Sequence, residues 1–301
     1  MIYVADGGEY IGRDIVQRLV KSGQRVRALV ETQEEGRIVA GPGTEIVLGD
    51  RRHPATFAHT LTGVDVAMLI TRHVPELFEL ETDFIRAATA ARVTRLVKIS
   101  AFGANLQQQG AKLLHARAED AVKQSGLKWT FLRPQFFMQN ILWFADEIKK
   151  NGTFSLPMKS GCIGMIDYRD IAAVAAKCLT ESGHEGQVYN LSGPNLLSMH
   201  DIAEKLTRAV GTSIKYNDIS GDEFQRYLLS MGWSAWHAEV MTRSYVGMSE
   251  GASAVLTDDV KHLLGRDGTS FDQLAKDYAH FFTPDGPRAT LTAYKRVSDR
   301  K

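Results

Sequence analysis

The chain is short of cysteine, of net charge and of long apolar runs, and each shortage removes a class of protein. Cys162 and Cys178 are its only cysteines in 301 residues. They are too few for a disulfide framework and lack metal-ligand spacing, so both are expected reduced, in a cytoplasmic protein. Lysine plus arginine number 36 against 35 aspartate plus glutamate, a net charge of +1. That balance offers no electrostatic reason for a nucleic-acid partner. No apolar stretch approaches the ~18 to 20 residues that span a bilayer. Met1 leads straight into the apolar run Ile2 to Ala5 without a basic leader, so neither a membrane span nor a secretory signal is expected. The histidines are scattered and form no His-Glu-x-x-His pair, so no metal site is expected. There is no Gly-x-Ser-x-Gly nucleophile turn either. What remains, at 44% apolar and 24% charged residues, is an ordinary globular composition.

The first half alternates short β-rich runs with helical stretches. Strands are predicted at Ile2–Ala5, Val26–Val30, Glu45–Leu48, Val66–Ile70, Leu96–Ser100 and Trp129–Arg133. Most are continuous apolar runs, as strands buried on both faces should be. Helical patterns lie between them at Gly12–Ser22, Pro54–Leu61, Glu76–Ala91 and Lys112–Ser125, with Gly23 and Gly126 placed as C-terminal cap glycines. This alternation predicts an α/β fold with a doubly wound parallel sheet and a central first strand. The second half predicts a helix over Phe136–Lys150, strands at Thr153–Leu156, Val188–Leu191 and Ile214–Asn217, and helices over Asp167–Glu181 and Ser198–Val210. A mostly helical stretch runs from Asp222 to Phe282. The expected division is a Rossmann-type domain over 1–152, a smaller C-terminal α/β substrate domain over 153–284, interleaved with the first, and a basic solvated tail over 285–301.

A strand, a glycine-containing turn and a helix within about thirty residues is where a Rossmann-type domain holds a dinucleotide pyrophosphate. Here the turn reads Ala5-Asp6-Gly7-Gly8-Glu9-Tyr10-Ile11-Gly12. Further along come Leu48-Gly49-Asp50, Lys98-Ile99-Ser100-Ala101-Phe102-Gly103-Ala104, Trp129-Thr130-Phe131-Leu132-Arg133-Pro134, Ile166-Asp167-Tyr168-Arg169-Asp170 and Tyr189-Asn190-Leu191-Ser192-Gly193-Pro194. On these segments, up to about Phe282, the chain resembles the NmrA-like family of atypical short-chain dehydrogenases. The resemblance implies a dinucleotide site at Gly7, Gly8, Gly12, Glu31 and Asp50.

The turn departs from the family's V-T-G-A-T-G-x-x-G pattern. Asp6 stands on its first glycine and Glu9 on its second; Gly12 keeps its place. A carboxylate at the second position sits where a diphosphate should lie against the positive helix end. Two unit charges ~4 Å apart repel by about 4 kcal/mol at an effective dielectric of 20, roughly a thousandfold in affinity. The Glu9 carboxylate could also cap the orphan helix amides itself. Asp6 and Glu9 are therefore expected to block the site, leaving no cofactor, or NADH or NADPH if that argument fails. Glu31, after the second strand, argues against a 2′-phosphate and is compatible with a ribose hydroxyl.

No tyrosine is followed by a lysine four residues on, so the short-chain dehydrogenase Tyr-x-x-x-Lys acid is absent. His115 and Glu119 share a helix face four residues apart, either as an acid/base pair or as an internal anchor. Ser100 ends a strand at the ligand-binding edge of a parallel sheet and could donate to a substrate carbonyl. Asp167 and Tyr168 complete the catalytic candidates, in a block that in the family returns to the crevice. Phe102, Arg133, Phe136, Phe137 and Met138, with Trp233 and Trp236 from a segment that is a lid in the family, are the expected pocket for a small apolar or aromatic substrate.

The leading expectation is a small-molecule enzyme on this scaffold that has lost NAD(P) and performs redox-neutral acid–base chemistry: isomerisation, cyclisation, elimination or addition. One alternative is an NAD(P)H-dependent oxidoreductase of quinones, enones or dyes. The other is a non-catalytic regulator or sensor.

Overall fold

In the computed structural model, residues 1–287 are described. The tail expected over 285–301 therefore lies outside the described residues from 288 onward. The chain begins β1 (Ile2–Val4), α1 (Tyr10–Lys21), β2 (Val26–Val30), α2 (Gln33–Val39), β3 (Thr44–Leu48) and α3 (Pro54–Thr60). It continues β4 (Val66–Leu69), α4 (Leu77–Ala90), β5 (Arg95–Ile99), α5 (Gly110–Gln124) and β6 (Lys128–Pro134). A 3-10 helix (Met138–Phe144), α6 (Ala145–Asn151), β7 (Thr153–Leu156), α7 (Tyr168–Thr180) and β8 (Gln187–Leu191) follow. The last elements are α8 (Met199–Val210), β9 (Lys215–Asp218), α9 (Gly221–Ser230), α10 (Ala235–Ser249), α11 (Asp259–Leu264), α12 (Phe271–Tyr278) and a short 3-10 turn.

The chain forms two compact units that interleave in sequence. The first comprises Met1–Pro134, Tyr168–Leu191 and His262–Gly265; the second holds Gln135–Asp167, Ser192–Lys261 and the segment from Arg266. The first unit carries one parallel seven-stranded sheet in the order β3-β2-β1-β4-β5-β6-β8, a doubly wound Rossmann-type arrangement. The strands lie in it because they are apolar on both faces: all residues of β1 and of β4 are buried. α1 buries Ile15, Val16 and Leu19 and packs beside α7. On the other side of the core Phe84 meets Phe57 edge-on at 5.1 Å and Tyr3 at 5.9 Å. Gly23 and Gly126 have φ of 79° and 81°, the left-handed conformation that ends a helix without strain.

The second unit is built on the two-stranded parallel pair β7-β9 and an aromatic core around Phe144, Phe154 and Phe224. The helix predicted over Phe136–Lys150 is split here. Ile166 N–H donates to the Phe136 carbonyl at 3.0 Å and Met138 N–H to the Ile166 carbonyl at 2.9 Å. This bridge holds the chain extended through Phe137, so winding starts only at Met138. The expectation omitted α2, whose start is fixed by a capping box between Thr32 and Glu35.

Candidate functional site

The carboxyl edge of the first unit's sheet gathers the glycine turn, Glu31, the segment after β3, the segment after β4, and Ser100. The glycine turn is tight. Gly7 N–H donates to the Leu29 carbonyl at 2.8 Å, and a Cβ on Gly12 would fall 1.6 Å from the Asp6 carbonyl oxygen. Only glycine lets α1 start so close to the turn.

The two carboxylates of the turn do not stand alone. Arg51 donates to Asp6 and, through its other terminal nitrogen, to Glu31 at 2.9 Å. Arg72 donates to Glu9 at 2.6 Å and lies 3.8 Å from Asp6. Arg13 donates to the Gly8 carbonyl at 3.0 Å. Asp6, Glu9 and Glu31 thus face two guanidiniums, those of Arg51 and Arg72. Burial pushes the Asp6 carboxyl above its ordinary range, against the pull of Arg51 and Arg72. Burial also raises that of Glu9, against the pull of Arg72. Ion pairing reduces the negative field that an arriving anion meets.

Glu9 is the N-cap of α1, yet its side chain makes no capping bond; it is turned to Arg72 instead. Glu9 therefore leaves the first-turn amides of α1 uncapped by its own side chain. Beside them Arg13 Nε and Arg72 Nε are buried without a hydrogen-bond acceptor. Uncapped helix amides with two unsatisfied guanidinium N–H groups fit a diphosphate in charge and donor count. Asp50, one of the expected cofactor residues, is clasped by Arg52, with its carboxyl held down to about 2 by those hydrogen bonds. The neighbouring Arg51 is the residue of that segment joined to the turn.

The acid/base candidates separate into two networks. His115 and Glu119 are both buried on α5, but each is bonded elsewhere. Glu119 accepts from Ser100 Oγ at 2.6 Å and from Arg133 at 2.9 and 2.5 Å. The single hydroxyl proton of Ser100 is therefore already engaged. His115 Nδ1 lies 3.0 Å from Lys98 Nζ, which donates to Oε1 of the fully buried Glu81 at 2.8 Å and lies 2.7 Å from its Oε2. Its Nε2 lies 3.2 Å from Nε2 of His73. Burial, then Lys98 and His73, pull the His115 ring well below the ordinary histidine range, so it is neutral near pH 7.

Tyr168 opens α7, with its ring 6.2 Å from that of Tyr10, and Phe102 N–H donates to the Pro134 carbonyl at 3.1 Å. In the second unit Asp167 is fully buried. There Phe136 meets Trp143 and Tyr245 edge-on at 6.4 and 5.0 Å, and Trp143 meets Trp233 at 5.3 Å. Phe137 is half-buried, Met138 is buried, and Trp236 lies against His237 at 4.9 Å. The hollow beside Phe136, Ile141, Phe144, Met158 and Tyr245 has a free volume of about 10 Å³, room for about one water. This cluster is packed core within its unit.

Sequence reasoning missed Arg51, Arg72, His73, Glu81 and Lys98. Lys98 left a signal: a cation inside the apolar strand β5 demands a buried partner. Arg72 and His73 lie in the segment that leaves β4, on the edge where ligands bind.

A family model for the NmrA-like family matches residues 1–253. The NAD(P)H azoreductase of Xenophilus azovorans is 34% identical over 285 residues, covering 94% of this chain and 99% of that protein. A (4-alkanoyl-5-oxo-2,5-dihydrofuran-3-yl)methyl phosphate reductase of Streptomyces griseus is 31% identical over 289 residues, covering 95% and 100%. Among solved structures, the NADPH-dependent quinone oxidoreductase of Escherichia coli complexed with NADPH superimposes with a TM-score of 0.85, at 26% identity, covering 92% of this chain and 99% of that one.

These relatives overturn the expectation that no cofactor is used, and the redox-neutral reading that rested on it falls too. The error lay in treating Asp6 and Glu9 as bare charges. Arg51 and Arg72 neutralise them, so the repulsion worked out for an isolated carboxylate does not arise. The chain belongs to the NmrA-like family.

Proposed function

We propose that this protein is an NAD(P)H-dependent reductase of flat aromatic acceptors of the quinone or azo-dye kind. The observation that carries the reading is the likeness, over nearly all of both chains, to an NAD(P)H azoreductase. The paired charges at the glycine turn support it, because they leave the start of α1 able to receive a diphosphate.

When bound there, the coenzyme supplies a hydride. The chain's own residues do the rest. The first-turn amides of α1 with Arg13 and Arg72 hold the diphosphate, and Glu31 with Arg51 meets the adenosine ribose. Glu119 keeps Ser100 and Arg133 locked in one arrangement at the substrate edge of the sheet. A small apolar, aromatic substrate is the partner.

Titration of the protein with NADH and with NADPH, followed by nicotinamide fluorescence, is expected to saturate for at least one of them. Coenzyme oxidation should then appear with members of a quinone and azo-dye panel. No binding of either coenzyme at millimolar concentration would end the proposal.

A further inference from the structure

Four titratable side chains form one hydrogen-bonded chain inside the first unit. Glu81 of α4 accepts from Lys98 Nζ of β5 at 2.8 Å. Lys98 Nζ also reaches the Ile99 carbonyl at 3.1 Å and His115 Nδ1 of α5 at 3.0 Å. From His115 Nε2 the chain passes at 3.2 Å to His73 Nε2, with the two rings inclined at 64°. Glu81, Lys98 and His115 are 0%, 0% and 1% exposed. His73 is half-buried and lies in the segment leaving β4, at the edge where ligands of doubly wound sheets bind. One end of the chain is sealed; the other, His73, is half-buried in the segment that leaves β4.

The donors all point one way. An ammonium has protons to give and no lone pair to accept with, so Lys98 donates to both Glu81 and His115 Nδ1. A neutral His115 then carries its proton on Nε2 and donates to His73 Nε2, which fixes the His73 proton on Nδ1. A buried ion pair adds little stability over apolar residues of the same volume.

We infer that His73 is the proton donor of the reduction, recharged through His115 by the buried ammonium of Lys98. The inference rests on the reductase reading. Reduction of a quinone or azo acceptor by NAD(P)H consumes one hydride and one proton. As the acceptor's oxygen or nitrogen becomes anionic, the His73 Nδ1–H bond breaks, its electron pair stays on Nδ1, and an O–H or N–H bond forms on the product. The His115 Nε2 proton passes to His73 Nε2, and a Lys98 proton passes to His115 Nδ1. Lys98 is left neutral beside Glu81 until a proton from water returns along the same path in the opposite sense. His73 is the catalytic residue; His115, Lys98 and Glu81 position and recharge it. The charged groups around this chain are Glu81 from α4, Lys98 from β5, Glu119 from α5 paired with Arg133 of β6, and Arg72 beside His73 itself.

Two measurements test it. Side-chain ¹⁵N spectra of the histidines in the intact protein should show His115 protonated on Nε2 and His73 on Nδ1; the opposite tautomer at His115 overturns the relay whatever the activity. In turnover, His73→Ala and His115→Gln should each lower kcat by about 10² to 10⁴ while coenzyme binding stays unchanged. The solvent isotope effect should rise, and imidazole should restore part of the rate of His73→Ala. Wild-type protein that oxidises coenzyme, with His73→Ala keeping its kcat, pH profile and isotope effect, overturns the relay and leaves the reductase standing. Wild-type protein that oxidises no coenzyme overturns the reductase itself, and with it the relay's purpose.

Discussion

Replacing Arg72 by alanine should convert the glycine turn into the blocked site that its carboxylates alone would make. Arg72 holds Glu9 at 2.6 Å and stands 3.8 Å from Asp6; the side chains of Arg72 and Glu9 are each 16% exposed, so water screens the pair only in part. Without the guanidinium, Glu9 faces an incoming diphosphate as an uncompensated charge. At ~4 Å and an effective dielectric of 20 that repulsion is about 4 kcal/mol, or roughly a thousandfold in dissociation constant. The assay is fluorescence titration with NADH and NADPH across wild type, Arg72→Ala, Glu9→Gln and the double variant. Arg72→Ala should bind at least about a hundredfold more weakly, and Glu9→Gln in the same chain should recover the part of that loss due to repulsion, leaving only the missing Arg72 contact to the diphosphate. If Arg72→Ala binds as wild type does, neutralisation is not what keeps the site open. If the double variant stays as weak as Arg72→Ala, Arg72 acts by touching the phosphates and not by quenching Glu9.

Two further outcomes are expected. Lys98→Met leaves the carboxylate of Glu81 buried without its 2.7 Å partner and should cost about 3 to 5 kcal/mol in denaturant-measured stability; adding Glu81→Leu should restore most of it, and no loss in the single variant would show that the pair is not buried as described. His115, held neutral by burial, should make the fold acid-sensitive. Its folded-state proton affinity is depressed below the usual 6.5, so the unfolded chain takes up a proton that the folded one refuses, and stability falls as pH drops below that value. The slope is about 1.4 kcal/mol per pH unit for one proton, read from unfolding at a series of pH values. His115→Gln should flatten it, and an unchanged slope would assign the sensitivity to another group.

Much of the fold was legible because it depends on short-range patterning. The first six sheet strands announce themselves as apolar runs, and the turn with Gly12 marks where α1 must approach β1. Ser100 was legible as the end of a strand at the ligand-binding edge, and His115 as the helix-face neighbour of Glu119 four residues on. The helix over 136–150 was misread because its start depends on a bridge to Ile166, a residue distant in sequence.

The charge state of the glycine turn is a different kind of fact. The sequence by itself determined that Asp6 and Glu9 occupy two glycine positions and that β5 carries a lysine in its apolar core. Only the folded chain decided what those charges meet: Arg51 is 45 residues from Asp6, Arg72 is 63 from Glu9, and His73 is 42 from His115. Local patterning sets a strand or a turn because neighbouring residues share one backbone. An ion pair is set by which strand ends the parallel sheet places side by side, and that order emerges only when the whole sheet has formed.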